Sequence, residues 1–125
     1  MKKILIVDDS RVSRIIIKKC IGSSDEYEFC EAENGQVGLE EYRNFRPDVV
    51  FLDLTMPVMD GRGFLKEIKK VDGNARVIVC TADVQQKALD EVFSLGAISV
   101  VKKPPAKESI QEAFAKLNQI NNLIN

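Results

Sequence analysis

Asp8 and Asp9 directly follow the apolar run Ile4-Leu5-Ile6-Val7, and Asp53 directly follows Val49-Val50-Phe51-Leu52. Four apolar residues without alternation read as a strand covered on both faces, the kind found in parallel sheets. In an open parallel sheet the ligand crevice lies outside the carboxyl ends of the strands. If the two strands are neighbours, three carboxylates converge on one crevice. Two carboxylates about 4 Å apart repel by roughly 4 kcal/mol at an effective dielectric near 20, so such a cluster calls for a cation. A hard divalent ion with oxygen ligands, such as Mg²⁺, suits an all-carboxylate set.

Other reactive side chains follow other apolar runs. A carboxylate such as Asp53 can attack phosphorus and become an aspartyl phosphate, provided a metal and cations offset the phosphoryl charge. Thr81 precedes the small residue Ala82, which would leave a phosphoryl oxygen free to approach its hydroxyl. Lys102-Lys103-Pro104-Pro105 places a cation after the last apolar run. Each residue also has a plainer use. Asp8, Asp9 or Ser10 can cap the next helix, Asp53 can shape the turn before Pro57, Thr81 can cap the helix that follows it, and both lysines can sit in solvent. Their joint placement favours the crevice. Acidic, acidic, hydroxyl and basic residues stand at the ends of strands one, three, four and five.

The elements that would position them alternate strictly. Strands are predicted over residues 3–7, 27–32, 49–52, 76–80 and 98–101, and helices over 12–21, 36–44, 62–70, 85–95 and 108–123. The second strand alternates apolar and polar residues and reads as an edge. In the first helix Val12, Ile16 and Cys20 share a face that Ile15 and Ile17 widen. The later helices present Leu39 and Tyr42; Phe64, Leu65 and Ile68; Ala88, Val92 and Leu95; and Ile110, Ala113, Phe114, Leu117 and Ile120. Turns are read at Gly22-Ser23-Ser24-Asp25, Asn34-Gly35 and Asp72-Gly73-Asn74, and Gly96 closes the fourth helix. Five strand–helix pairs with short connections argue for an α/β fold, a doubly wound parallel sheet with helices on both faces. The chain is expected to form one domain over 1–125, its polar end at 118–125 fraying or leading into a linker.

Composition narrows the function. The 125 residues carry a formal net charge of −1, without the basic footprint of a nucleic-acid binder, so direct DNA contact is not expected. No apolar stretch is long enough to span a bilayer, and the start is too short for a signal peptide's apolar region; a cytoplasmic protein is expected. There is no histidine, which excludes Ser-His-Asp and Cys-His nucleophiles and His-ligated metals. Cys20, Cys30 and Cys80 are odd in number and lack a Cys-x-x-Cys spacing. They read as small buried hydrophobes in a reducing compartment, since no electropositive neighbour marks any of them as reactive.

Four motifs carry a resemblance across nearly the whole chain: Ile6-Val7-Asp8-Asp9-Ser10, the stretch from Leu52-Asp53 through Thr55-Met56-Pro57-Val58-Met59 to Asp60-Gly61, Cys80-Thr81-Ala82, and Gly96-Ala97 leading to Lys103-Pro104. Together they resemble the receiver domain of bacterial two-component response regulators, and most of all its stand-alone CheY-like members. The resemblance implies a flavodoxin-like strand order of 2-1-3-4-5. It implies that Asp53 is the phosphoacceptor, that Asp9 and Asp53 bind Mg²⁺ directly with Asp8 acting mainly through water, and that the Thr55 carbonyl completes the protein ligands. Lys103 would pair with the phosphoryl group; it directly precedes proline and lies seven residues after Gly96, as in the family. The Lys103–Pro104 bond would be cis, Thr81 would carry the signal, and Gly61 would serve a turn needing positive φ. Thr55 and Asp83 resemble positions that tune hydrolysis.

Two departures concern output. The family's switch aromatic falls on Val100, whose isopropyl group cannot swing with a polar tip. Where the family often has Phe after Lys-Pro, this chain has Pro105, which stiffens the entry to the last helix. Both lie on the face of helix 4, strand 5 and helix 5, the family's usual docking surface. The expected function is a phosphorylation-dependent switch, with self-catalysed phosphoacceptance and autodephosphorylation as its only chemistry. Its donor would be a sensor histidine kinase or phosphotransfer protein, since the chain has no histidine of its own. Small phosphodonors aside, no small-molecule substrate is expected. No effector domain is expected after Asn125, so output is expected through protein contact, in chemotaxis or another phosphorelay.

Three other readings were open to the same residues. A haloacid-dehalogenase-type phosphatase needs a second acid two residues after its nucleophile, where Thr55 stands. A flavodoxin-like flavin carrier needs an uncharged, hydroxyl-rich phosphate loop where Asp8 and Asp9 stand. A pseudo-receiver, binding partners without phosphorylation, is opposed by the intact acidic set and Lys103 and kept open by Val100.

Overall fold

The computed structural model describes residues 2–22, 25–56 and 59–124, with side chains as far as Asn118. The chain runs β1 (Lys2–Val7), α1 (Arg11–Ile21), β2 (Tyr27–Ala32), α2 (Gly35–Phe45), β3 (Val49–Asp53), α3 (Gly61–Val71), β4 (Val77–Thr81), α4 (Gln86–Ser94), β5 (Ser99–Lys102) and α5 (Lys107–Ile124). All strands are parallel, in the order β2-β1-β3-β4-β5. The predicted elements are all present, with ends that differ by a residue or two, as helix and strand termini commonly do.

The apolar runs form the centre of the sheet because both of their faces are covered. Every residue of β3 and β4 is buried, and so is β1 from Ile4 to Val7. Alternate residues point to opposite faces. Leu5, Val7, Val50, Leu52, Val77 and Val79 pack with Leu39, Phe64, Leu65, Ile68 and Val92 of α2, α3 and α4. Ile4, Ile6, Val49, Phe51, Ile78, Cys80 and Val101 pack with Ile17, Ile110, Ala113 and Leu117 of α1 and α5. At β2 each face carries one exposed carboxylate, Glu28 on the side of Cys30 and Ala32 and Glu31 on the side of Tyr27 and Phe29, as suits an edge strand.

Local chemistry bounds four of the five helices. Ser10 Oγ accepts from Ser13 N at 3.1 Å and caps α1. Asn34, read as part of a turn, caps α2 by accepting from Val37 N at 2.9 Å. Asp60 caps α3 in the same way, accepting from Gly63 N at 2.9 Å. Gly96 follows α4 with φ 106°, where a Cβ would also lie 2.5 Å from Lys69 Cε. Ser23, Ser24, Pro57 and Val58 lie outside the described residues, as does the Ile120 side chain.

Two expectations need correction. In α1, Val12, Ile15 and Ile16 are exposed and only Ile17 is buried. The inward face is built by Ile17 with the half-buried Ile21 and Cys20, the last as expected, and Arg14 and Lys18 flank it on the side toward β2. Both reach Glu31 on β2, so counting apolar residues alone placed the face wrongly. Among the cysteines, Cys80 is buried, but Cys20 and Cys30 are half-buried. Cys30 Sγ donates to Glu41 Oε2 at 3.1 Å; burial first, then that bond and the Glu41 charge, push its thiol up to about 11.

The corrected face can be tested by urea unfolding. Ile17→Ala is expected to cost about 2–5 kcal/mol, as for a large-to-small change in a core. Ile16→Ala should cost less than about 1 kcal/mol, as at a surface.

Candidate phosphoryl and metal site

Strand register brings the reactive residues to one rim. Val7 is level with Leu52, and Asp53 with Cys80, so Asp8 emerges beside Asp53. Thr81 is level with Lys102, which places Lys103 one step further on the neighbouring strand. One carboxylate oxygen from each of Asp8, Asp9 and Asp53 lies within 4.8 Å of the other two. Asp8, Asp53 and Thr81 are buried, whereas Asp9 is exposed.

At such a separation each carboxylate pair repels by roughly 3–4 kcal/mol at an effective dielectric near 20. Lys103 offsets part of this: its Nζ lies 2.9 Å from Asp8 Oδ2 and 3.3 Å from Asp53 Oδ1. Burial pulls the Lys103 ammonium down, but the Asp8 hydrogen bond and the charges of Asp8 and Asp53 outweigh it and hold it above its ordinary value. Asp53 is held above its ordinary carboxyl value, by burial first and then by the Asp8 charge, against Lys103 and a hydrogen bond from the Thr55 backbone N–H. One ammonium among three carboxylates leaves negative charge in excess. The donor set is all oxygen, open on the exposed Asp9 side, and fits a hard divalent cation.

Asp8 Oδ1 accepts from Ser10 N at 2.9 Å while its other oxygen holds Lys103. The α1 cap falls to Ser10, leaving the carboxylates to the crevice. Thr81 does not cap α4, which begins at Gln86; its Oγ1 accepts from Asp83 N at 3.1 Å, and its hydroxyl proton has no acceptor among the described residues. Thr55 and Asp83 are exposed beside Asp53 and Thr81. Lys102 is exposed and Lys103 turns inward, and the Lys103–Pro104 bond is cis. Val100 is half-buried, level with Val79 and packed on the core under α4.

Gly61 needs a different explanation from the one expected. The described glycines with positive φ are Gly22 and Gly96. Gly61 is required by close approach instead: a Cβ there would lie 2.4 Å from the Asp53 carbonyl oxygen and 2.6 Å from Leu54 Cα. The first turn of α3 thus rests directly on the backbone of Asp53, and Gly61 N donates to Leu54 O at 3.0 Å.

Sequence reasoning missed Arg14 and Glu31. Arg14 Nη1 donates to the Asp8 carbonyl oxygen at 2.6 Å, and its Nε donates to Glu31 Oε1 at 2.9 Å. Helical spacing alone gives no hint of this, because the partners lie in a loop and on another strand.

The response regulator receiver domain family model matches residues 4–115. This chain belongs to the response regulator receiver family. It is 38% identical over 118 residues to the chemotaxis protein CheY of Thermotoga maritima, covering 94% of this chain and 98% of that one. It is 37% identical over 115 residues to the sporulation initiation phosphotransferase F of Bacillus subtilis, covering 92% of each. Among solved structures, the CheY in a CheX–CheY–BeF₃–Mg complex from Borrelia burgdorferi superposes with a TM-score of 0.83 at 30% identity, over 93% of this chain and 88% of that one. The receiver has the flavodoxin-like fold of these relatives. Among the described residues no helix is long and apolar enough to cross a membrane.

Two predictions follow from the electrostatics and the close contact. A carboxyl group held above its ordinary value contributes stability that is present below the ordinary value of 3.8 and lost as pH rises through the raised one. Without divalent ion, Asp53→Asn should therefore unfold at a temperature a few degrees higher than wild type at pH 7. The gain should shrink as pH falls toward 3.8, read by calorimetry across pH. Gly61→Ala should cost at least about 1–3 kcal/mol in urea unfolding, since the added methyl has backbone on two sides.

Proposed function

We propose that this receiver is a phosphorylation switch in which Asp53 accepts a phosphoryl group from the phosphohistidine of a partner kinase or phosphotransfer protein. The observation that supports it most is a buried Asp53 meeting two further carboxylates, an inward-turned lysine and a free hydroxyl proton at one rim. Asp8, Asp9 and Asp53 would hold Mg²⁺, with the Thr55 carbonyl as a further ligand. The ion, when bound, supplies charge neutralisation for the transferring phosphoryl oxygens.

In the transfer, an Asp53 carboxylate oxygen attacks phosphorus, the phosphorus–nitrogen bond of the donor breaks, and the imidazole leaves with the electron pair. Lys103 already faces Asp53 and would pair with a phosphoryl oxygen as the Asp53 negative charge moves outward. The Thr81 hydroxyl would donate to another oxygen, using the proton its contact with Asp83 leaves free. Hydrolysis by water then returns the carboxylate, with Thr55 and Asp83 flanking the approach. This self-catalysed gain and loss of phosphate is the only reaction proposed for the chain.

The signal would leave from Thr81 toward the face of α4, β5 and α5, where a protein target docks. Val100 stands where the family's switch aromatic falls, so the coupling would run through packing rather than the swing of a polar ring. Kinship with chemotaxis proteins and a sporulation phosphotransferase supports a cytoplasmic signalling role in chemotaxis or another phosphorelay.

The test is intact mass after incubation with acetyl phosphate and Mg²⁺. A single phosphoryl adduct is expected, absent in Asp53→Ala and abolished by chelation of Mg²⁺. Lys103→Ala should slow its formation on the order of 10²-fold, as for loss of one fixed charge-stabilising donor. A protein that binds Mg²⁺ yet takes no phosphoryl group from acetyl phosphate or a histidine kinase would be a phosphorylation-independent binding module instead.

A further inference from the structure

Each of the three acceptor oxygens of Asp8 has a donor of its own. Its Oδ1 takes the amide of Ser10, its Oδ2 takes Lys103 from the end of β5, and its backbone carbonyl takes Arg14 from α1 at 2.6 Å. The third contact replaces a strand bond. Asp8 N still donates to Ala32 O at 3.0 Å, but β2 ends at Ala32. The carbonyl of Asp8 is thus beyond the reach of the ladder, and a buried carbonyl without a partner is costly.

The next residue is Asp9, exposed and without a side-chain hydrogen bond or ion pair among the described residues. Its place beside Asp8 and Asp53 is therefore inherited from its backbone, held by Asp8 on one side and the Ser10 cap on the other. Arg14 is itself held. Its Nε meets Glu31, whose second oxygen takes Lys18 Nζ at 2.8 Å. The Lys18 bond, against burial and with the Arg14 bond in support, keeps Glu31 below its ordinary carboxyl value and ionised. The Arg14 side chain is 15% exposed and that of Glu31 35%, so the guanidinium is shielded while its carboxylate partner meets solvent. A guanidinium can serve two acceptors in different directions through a rigid fork; an ammonium on a flexible stem does not reproduce that geometry.

We infer that Arg14, anchored by Glu31, is a positioning residue for the acidic pair: by fixing the Asp8 carbonyl it sets the Asp8 and Asp9 carboxylates at the separation from Asp53 that a divalent cation requires. This rests on the metal reading proposed above. Groups that orient metal ligands without touching the metal typically change its affinity by about 10–100-fold when removed.

The experiment is calorimetric titration of the whole chain with MgCl₂, beside thermal unfolding without metal. Arg14→Lys keeps the local charge, so through-space repulsion of Mg²⁺ is unchanged and only the fork is lost. Its Mg²⁺ dissociation constant is expected to rise by about tenfold, while its metal-free unfolding temperature falls by no more than a few degrees. The doubly exchanged variant, Arg14→Glu with Glu31→Arg, restores an ion pair but gives the Asp8 carbonyl no donor at position 14, and should remain weak. Affinity within about twofold of wild type in Arg14→Lys, or recovery in the exchanged pair, would overturn the inference and leave a merely structural ion pair. Wild-type protein that takes up no Mg²⁺ would instead overturn the metal reading, and this role with it.

Discussion

Like charges on Asp8, Asp9 and Asp53 repel one another across a few ångströms, and the architecture around them answers that repulsion. A chain relieves such a cluster either by spreading the carboxylates into water or by enclosing them with cations. Here Asp8 and Asp53 are buried, which makes spreading impossible and increases the need for compensation. Lys103 supplies one charge from the opposite end of the chain. The remaining negative charge gathers where the three carboxylates meet.

That enclosure depends on the sheet. Strands buried on both faces have little freedom to slip, because a shift of one residue would turn each apolar set to the wrong side. Register therefore transmits position: with Val7 level with Leu52 and Asp53 with Cys80, the reactive residues reach the rim together. The helices then close on the strand ends. α3 comes near enough to the backbone of Asp53 that only glycine fits at Gly61, and α1 returns Arg14 to the carbonyl of Asp8. A site assembled on strand ends and pinned by helices is stiff where it holds charge and open on the side of Asp9.

Much of this was legible in the residues. The runs ending in Asp8, Asp53, Thr81 and Lys103 announced parallel strands with chemistry at their carboxyl ends, because buried strands need uninterrupted apolar residues and crevices form where those runs stop. Strict alternation of strand and helix gave the fold class. The inward face of α1 was not legible. Val12 and Ile16 turn to solvent there, while Arg14 and Lys18 flank the buried Ile17 and meet a partner, Glu31, that lies on another strand. The reason for Gly61 was equally hidden, since a glycine required by close approach looks the same in sequence as one required by positive φ.

What the sequence determined by itself is the kind of chemistry available: three carboxylates, a threonine and a lysine at the ends of buried strands, and no histidine. Tertiary structure alone decided which residue of the Asp-Asp-Ser run caps α1 and which side of α1 faces the sheet. Those choices depend on distances between segments far apart in the chain. A side chain's type sets what it can bond, but only packing sets what lies within its reach.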